Sequence, residues 1–419
     1  MTRRVRPLLQ RRPSMAASAR PEDCSVDYDF LVPPATLFGA GRSAELPAAV
    51  GRLGGRGWVV ASRRGLEACG GWEPLSARFA AAGIDATVVA ETAGEPTVDQ
   101  VATALAALPR EGRATAVVVA IGGGAAIDLG KALAALATNV SDAEADPDTA
   151  VIDRLEGVGR MLPLTMPPLP VVAVPTTAGT GAEATRNAVI SCPRRRFKKS
   201  LRSPLMVPRV AVIDPLLTLS CDRTTTAASG LDCITQLVES FVCRVRRPLP
   251  RALVQGTLPA ALAALPRVLA DPGDVAARSA LAHAALVSGI ALSNSGLGMA
   301  HGVAAALGVE CGVPHGVACA LMLPTAVRVN LAVCGADFAT LERAVDPAAS
   351  ARDSVAAEAF AVRIAGVCAA AGIPGRLRDV GLAADRVSWL AEHSGGASLR
   401  GNPVELNPAD LLRILEPLY

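Results

Sequence analysis

Aromatic side chains are scarce: 3 Trp, 2 Tyr and 7 Phe make up 3% of the 419 residues and leave few stacking platforms for nucleic acid bases. Lysine is confined to Lys131, Lys198 and Lys199, so arginine carries nearly all the positive charge. Histidine occurs four times. The ten cysteines include no CxxC pair, which removes the common zinc-ribbon and thioredoxin spacings and predicts reduced, mostly buried thiols in a cytoplasmic protein. No uninterrupted apolar run approaches the length of a membrane span. The most apolar region, 281–333, is broken by His301, Glu310, Pro314, His315 and Pro324, which predicts buried helices. Against these shortages stand 51% hydrophobic and 19% charged residues, a balance that excludes a disordered or fibrous chain. The length points to two domains.

The formal charge of +3 is unevenly placed: Arg3, Arg4, Arg6, Arg11, Arg12 and Arg20 precede the first acid, Glu22, and without them the chain stands at −3. Residues 1–29 are therefore expected to form a disordered basic extension or an over-long start with Met15 as a second initiator. An Arg-rich transit peptide is the remaining reading.

From 30 to 215, β-branched runs at 58–61, 86–89, 116–121, 171–174 and 210–213 alternate with helical patterns at 44–53, 74–82, 98–107 and 125–137. That alternation predicts an α/β fold, a doubly wound parallel sheet of nucleotide-binding type. Residues 142–167 read as a surface excursion. From 216 to 419 strand-like runs all but vanish, and Ala/Leu/Val-rich segments at 222–243, 251–269, 274–294, 301–310, 315–333, 352–371 and 407–417 predict an all-helical domain.

Two segments of the first half have the make-up of a phosphate site. The run 116–121 feeds through Gly122-Gly123-Gly124 into a helix carrying Asp128 and Lys131; glycines admit a pyrophosphate close to the backbone, and a helix N-terminus attracts its charge. A tight turn is the plainer reading, and the spacing is not G-x-G-x-x-G. The next strand ends in Pro175-Thr176-Thr177-Ala178-Gly179-Thr180-Gly181, at the sheet edge where ligands of open α/β sheets bind. The basic run 194–199, with Lys198, suits either a ribose or phosphate contact or a solvated face.

The second half carries a metal-ligating pattern. His301 and His315 stand in similar Gly-flanked settings near apolar helices, and Asp232 and Gln236, four apart, share a helix face. One carboxylate, one amide oxygen and two imidazoles form a mixed N/O set for Fe²⁺ or Zn²⁺. An amphipathic helix with incidental polar positions would give the same spacing.

Taken together, Pro34–Gly39, 122–131, 175–183, Ile213-Asp214-Pro215, 232–239, 298–308, 314–324 and Asn402-Pro403 resemble, in order, the iron-containing (group III) alcohol dehydrogenase family of the dehydroquinate synthase-like superfamily. The resemblance implies a nucleotide-binding domain, a helical domain and a metal between them. It assigns Asp232, Gln236, His301 and His315 as metal ligands, with Asp232, His301 and His315 at the catalytic centre, and Gly122, Gly123, Gly124, Asp128, Thr176, Thr177, Thr180, Lys198 and Ser62 as the nicotinamide dinucleotide's contacts. The chain departs from the family pattern at Gln236 and at Ala305, where histidines are usual. Loss of an imidazole at Gln236 weakens the hold on the metal, while retention of Asp232 speaks against the family's metal-free branch.

The implied reaction is hydride transfer between NAD(P) and a small alcohol or aldehyde, the metal acting as Lewis acid on the substrate oxygen. With Ala305 in place of the family's usual base, protons are expected to exchange through water and ribose hydroxyls. The turn Ala61-Ser62-Arg63-Arg64 lacks the acid expected of an NAD-selective site, so NADP(H) is expected over NAD(H). Fe²⁺ is the expected metal and Zn²⁺ the alternative. The competing functions are a dehydroquinate synthase-like cyclase or lyase and a cofactor-binding relic. The expected partners are a small alcohol or aldehyde and further copies of the chain, as a homodimer or larger assembly, with no nucleic acid and no membrane.

Overall fold

The computed structural model describes residues 27–109, 112, 115–141 and 146–419. The expected basic extension lies almost wholly outside them. The α/β half contains β1 (Ala35–Phe38), α1 (Leu46–Gly51), β2 (Arg56–Ser62), α2 (Arg63–Ala68), α3 (Trp72–Ala81), β3 (Asp85–Thr92), α4 (Val98–Ala107), β4 (Ala116–Gly122), α5 (Gly124–Asn139), α6 (Pro147–Ile152), β5 (Val171–Pro175), β6 (Asn187–Cys192), β7 (Phe197–Arg202) and β8 (Val210–Ile213). Six strands form a parallel sheet in the order β1-β8-β5-β4-β2-β3, and β6 and β7 form a separate antiparallel pair.

Every residue of β4 is buried, as expected of a central parallel strand covered on both faces. Val117, Val119 and Ile121 pack with Leu46, Leu75 and Phe79 on one side; Ala116, Val118 and Ala120 pack with Val98, Val101, Ile127 and Leu133 on the other. Each such Val or Ile contributes about 1.5–3 kcal/mol of transfer free energy. The sequence passed over β1, β6 and β7 because they are short or polar. It also placed α6 in a surface excursion, whereas Asp146 caps that helix through Asp148 N, Pro147 starts it, and Ala150, Val151 and Ile152 are buried.

The second half holds α7 (Arg223–Val242), α8 (Pro248–Ala270), α9 (Val275–Asn294), α10 (Met299–Cys311), α11 (His315–Val345), α12 (Asp353–Ala370), α13 (Val387–His393), α14 (Ala397–Arg400) and α15 (Pro408–Leu415). No strand occurs here among the described residues. Helix α11 runs past its expected end through a kink at Cys334, whose φ of −118° and ψ of 18° leave the helical region. By length and composition alone α8, α9 and α11 could each cross a membrane. In the fold their apolar faces pack together instead, around Leu258, Leu265, Leu281, Leu323 and Phe338.

Candidate metal centre and nucleotide cleft

The order of the sheet reverses between β2 and β4: the chain leaves β2 outward to β3, then returns to β4 on the other side of β2. Such a switch opens a crevice at the carboxyl ends of the strands. Ser62, Gly122, Gly123, Gly124, Thr177 and Thr180 gather there. Ser62 caps α2 by accepting from Gly65 N at 3.0 Å. Gly122 has a φ of +147°, and a Cβ on it would stand 2.7 Å from Ser62 Oγ. A Cβ on Gly124 would stand 2.7 Å from Thr180 Oγ1. Both glycines are thus required by close approach, and Gly122 by conformation as well. Thr176 is buried and donates its N–H to the Gly122 carbonyl at 2.9 Å, tying the threonine loop to the glycine turn.

Two further candidates have partners inside the protein. Asp128 pairs with Lys131 at 2.9 Å and accepts from Val189 N at 2.9 Å; Lys131, fully buried, also donates to Ala182 O and Thr185 Oγ1. Lys198 forms an ion pair with Glu95, and Arg194 and Arg196 of the same basic run pair with Asp99 and Glu310. The Lys198 charge lies close enough to His315 to affect its ionisation.

The threonine loop and the second cluster share α7. A Cβ on Gly179 would stand 2.6 Å from the Ser229 Cβ, and Asp232 follows about one helical turn later. Asp232, Gln236 and Glu239 project from one side of α7, spaced by four and three residues. His301 sits in the first turn of α10 and His315 begins α11. Gly316 lets α11 come this near: a Cβ there would stand 2.2 Å from the Ala228 carbonyl.

Asp232 Oδ1 and His301 Nε2 face each other at 3.3 Å without hydrogen-bond geometry, and the His301 and His315 rings are 5.5 Å apart. Three buried atoms of this group lack any hydrogen-bond partner: Asp232 Oδ1, His301 Nε2 and His315 Nδ1. One ligand atom each from Asp232, His301, His315 and Cys319 lies within 4.8 Å of the others. Asp232 Oδ1 and His301 Nε2, unpaired and facing each other in a buried space, fit a divalent cation that would supply their missing partner, and His315 Nε2 stands 3.6 Å from Cys319 Sγ in the same cluster.

Glu239 supports the arrangement. Its Oε1 accepts from Ala300 N at 2.6 Å, capping α10, and its Oε2 is 2.7 Å from His301 Nδ1. Placing the His301 proton on Nδ1 leaves the Nε2 lone pair facing Asp232. Asn402 Oδ1 caps the same helix by accepting from Met299 N at 3.1 Å. Gly298 is required where both acceptors converge, since a Cβ would stand 2.8 Å from Glu239 Oε1.

Charges follow this geometry. Burial works against a charged His301, but Cys319 and the carboxylates of Asp232 and Glu239 beside it raise its pKa well above the ordinary value. Burial would likewise raise Asp232, yet the two neighbouring imidazoles hold it below the usual carboxylate range. His315 is lowered to about 4 by burial and then by the Lys198 charge, and burial pushes the Cys319 thiol up to about 12. Gln236 is buried too, and its Oε1 accepts from Ser288 Oγ at 2.7 Å.

Glu239 and Cys319 were not among the candidate residues of the sequence, although His315 and Cys319 show the same four-residue spacing that singled out Asp232 and Gln236. Apart from that spacing, nothing set Cys319 off from the other nine cysteines before the fold brought it to Asp232.

A parallel-sheet half with a glycine and threonine crevice, joined to a helical half with buried ligand atoms, defines a metal- and dinucleotide-type enzyme architecture. Residues 33–215 match the model described as iron-containing alcohol dehydrogenase, and residues 226–419 match the C-terminal region of the Fe-containing alcohol dehydrogenase family. The "Probable alcohol dehydrogenase EutG" of Escherichia coli (strain K12) is 31% identical over 89% of this chain and 90% of its own. A crystal structure of a 1,3-propanediol oxidoreductase superposes with a TM-score of 0.84 at 28% identity, covering 94% of this chain and all of the other. The structure of sulfoacetaldehyde reductase from Bifidobacterium kashiwanohense in complex with NAD⁺ gives a TM-score of 0.80 at 25% identity, over 94% of this chain and 99% of that one. The chain belongs to the iron-containing alcohol dehydrogenase family, and it is an oxidoreductase of that type.

Proposed function

We propose that this enzyme reduces a small aldehyde, and oxidises the corresponding alcohol, with a metal held by Asp232, His301 and His315 and a nicotinamide dinucleotide laid across the β2/β4 crevice. The observation that carries the reading is the pair of partnerless buried atoms, Asp232 Oδ1 and His301 Nε2, that face each other at 3.3 Å beside His315. Bound there, the cation would supply Lewis acidity to the substrate oxygen and the nicotinamide would accept or return the hydride. The chain's own part is to hold and orient. Glu239 keeps the His301 proton on Nδ1, and Asp232 and His301 are buried while His315 is half-buried. Residues 122–124, 176, 177 and 180 would admit the diphosphate to the N-terminus of α5, with Asp128 and Lys198 as further candidates. Gln236 keeps a second lone pair on Oε1 after accepting from Ser288, so it remains a candidate fourth ligand.

In this reading residues 30–215 serve the dinucleotide and 216–419 the metal and substrate. The protein works in the cytoplasm, away from membranes, a setting that suits its nine free described cysteines. It assembles as a homodimer or larger, which would cover the edge strand β1. NADP(H) is preferred over NAD(H), because Ser62, Arg63 and Arg64 at the end of β2 place no acid against a 2′-phosphate. A lower kcat/KM for NADPH than for NADH refutes that preference.

Metal analysis of protein purified without oxygen, paired with an NADPH-oxidation screen over short aldehydes before and after addition of Fe²⁺ or Zn²⁺, tests the whole. Near one metal per chain with metal-dependent turnover is expected. A chain that stays empty and inactive with either metal overturns the reading and favours a relic.

A further inference from the structure

We infer that Cys319 is a ligand of the metal, so that the centre is an Asp232–His301–His315–Cys319 site in which sulfur takes the position expected for Gln236. This rests on the metal-dependent reading above. It concerns which atoms complete the coordination.

Distances favour it. Metal–ligand bonds of about 2.0–2.3 Å in a tetrahedron set neighbouring ligand atoms about 3.3–3.8 Å apart. Asp232 Oδ1 and His301 Nε2 are 3.3 Å apart, and Cys319 Sγ and His315 Nε2 are 3.6 Å apart. Two edges of the polyhedron are therefore present. All four candidate atoms, one per residue, fall within 4.8 Å of one another. His315 and Cys319 are successive turns of α11, so a single rigid helix fixes both.

Charge and chemistry agree. Asp232 and a Cys319 thiolate together neutralise a dication in a buried site, whereas Asp232 with the neutral amide of Gln236 leaves a net positive charge in low dielectric. As the sulfur–metal bond forms, the thiol proton leaves to solvent and no electron changes hands. Gln236, meanwhile, already has a partner on α9 in Ser288. A soft thiolate shifts preference toward Zn²⁺ and Co²⁺, away from the all-N/O set that suits Fe²⁺. Zinc-type centres can expand from four to five ligands, which keeps a place for the substrate.

Co²⁺ titration of the full chain tests this without reference to turnover. The expected result is one Co²⁺ per chain with thiolate-to-cobalt charge-transfer absorption in the near-ultraviolet. Cys319→Ser should lose that absorption while keeping the visible bands of bound cobalt. Cys233→Ala should keep both. Losing a residue that merely supports a ligand costs about 10–100-fold in affinity, so Cys319→Ser should weaken Zn²⁺ at least about ten-fold in competition with a chromophoric chelator. Circular-dichroism melting establishes that the variant is folded. Bound cobalt without the charge-transfer absorption, or absorption unchanged in Cys319→Ser, overturns the sulfur ligand and leaves the metal centre standing. Failure to bind cobalt at all overturns both.

Discussion

Glu239 offers a test of how the helical half prepares its ligands. The carboxylate accepts from Ala300 N at 2.6 Å and holds His301 Nδ1 at 2.7 Å, so one side chain both caps α10 and sets a tautomer. In Glu239→Gln one oxygen remains, enough to keep the cap on Ala300. The new NH₂ group then faces His301 Nδ1 as a donor. The imidazole answers by moving its proton to Nε2, the atom that must bind the cation. Metal affinity should fall about 10–100-fold, equivalent to about 1.4–2.8 kcal/mol, with little change in the melting of the metal-free chain. Glu239→Ala removes the cap as well. Each lost hydrogen bond to a charged acceptor costs about 1.5–3 kcal/mol, so this variant should lose stability together with metal. Zn²⁺ competition against a chelator and thermal melting of chelator-treated protein separate the two effects. Wild-type affinity in Glu239→Gln would refute the argument that the carboxylate fixes the ligand nitrogen.

The packing of the threonine loop makes a second prediction. Gly181, with a φ of +60°, lies against α9, where a Cβ on Gly289 would stand 2.1 Å from the Gly181 carbonyl. That carbonyl also accepts from Ala184 N at 2.9 Å. Gly289→Ala should destabilise by about 1–3 kcal/mol and weaken NADPH binding in a fluorescence titration; no change in either measurement would show that the loop is not held by α9. A third concerns Glu183, which is 2% exposed and raised from 4.5 to about 7, chiefly by burial, against the opposing pull of its own backbone N–H and of Lys131. Because the folded state binds this proton more tightly than the unfolded one, the contribution is full below pH 4.5 and lost as pH rises to about 7. The loss amounts to about 3 kcal/mol at most. Glu183→Gln should therefore gain stability over the wild type as pH rises from 5 to 8 in denaturant melts, and a pH-independent difference would refute the assignment.

The secondary-structure pattern and the glycine turn were legible in the sequence because their causes are local. The apolar runs that became β4, β5 and β8, the three-glycine turn before α5, and the apolar periodicity of α7 to α9 each depend on neighbours within a few positions. The same holds for Asp232 and Gln236, placed together by one helical turn. Boundaries were lost where local cues conflict with packing. The polar strand β7 forms only because β6 pairs with it, and α11 continues through Cys334 because its distal part packs on α12. Lys198 could meet a ribose or solvent by sequence alone; its ion pair with Glu95 came from the fold.

Which polar side chains face one another was decided by tertiary structure alone. The sequence listed ten cysteines on equal terms, and the crossing of α7, α10 and α11, allowed by the missing Cβ of Gly316, brought Cys319 to Asp232 and His301. The same crossing put Glu239 behind His301, while α9 brought Ser288 to Gln236. Periodicity fixes the face of a helix on which a residue lies, but the partner opposite depends on interhelical distances of a few ångströms, and those are set by how whole surfaces pack.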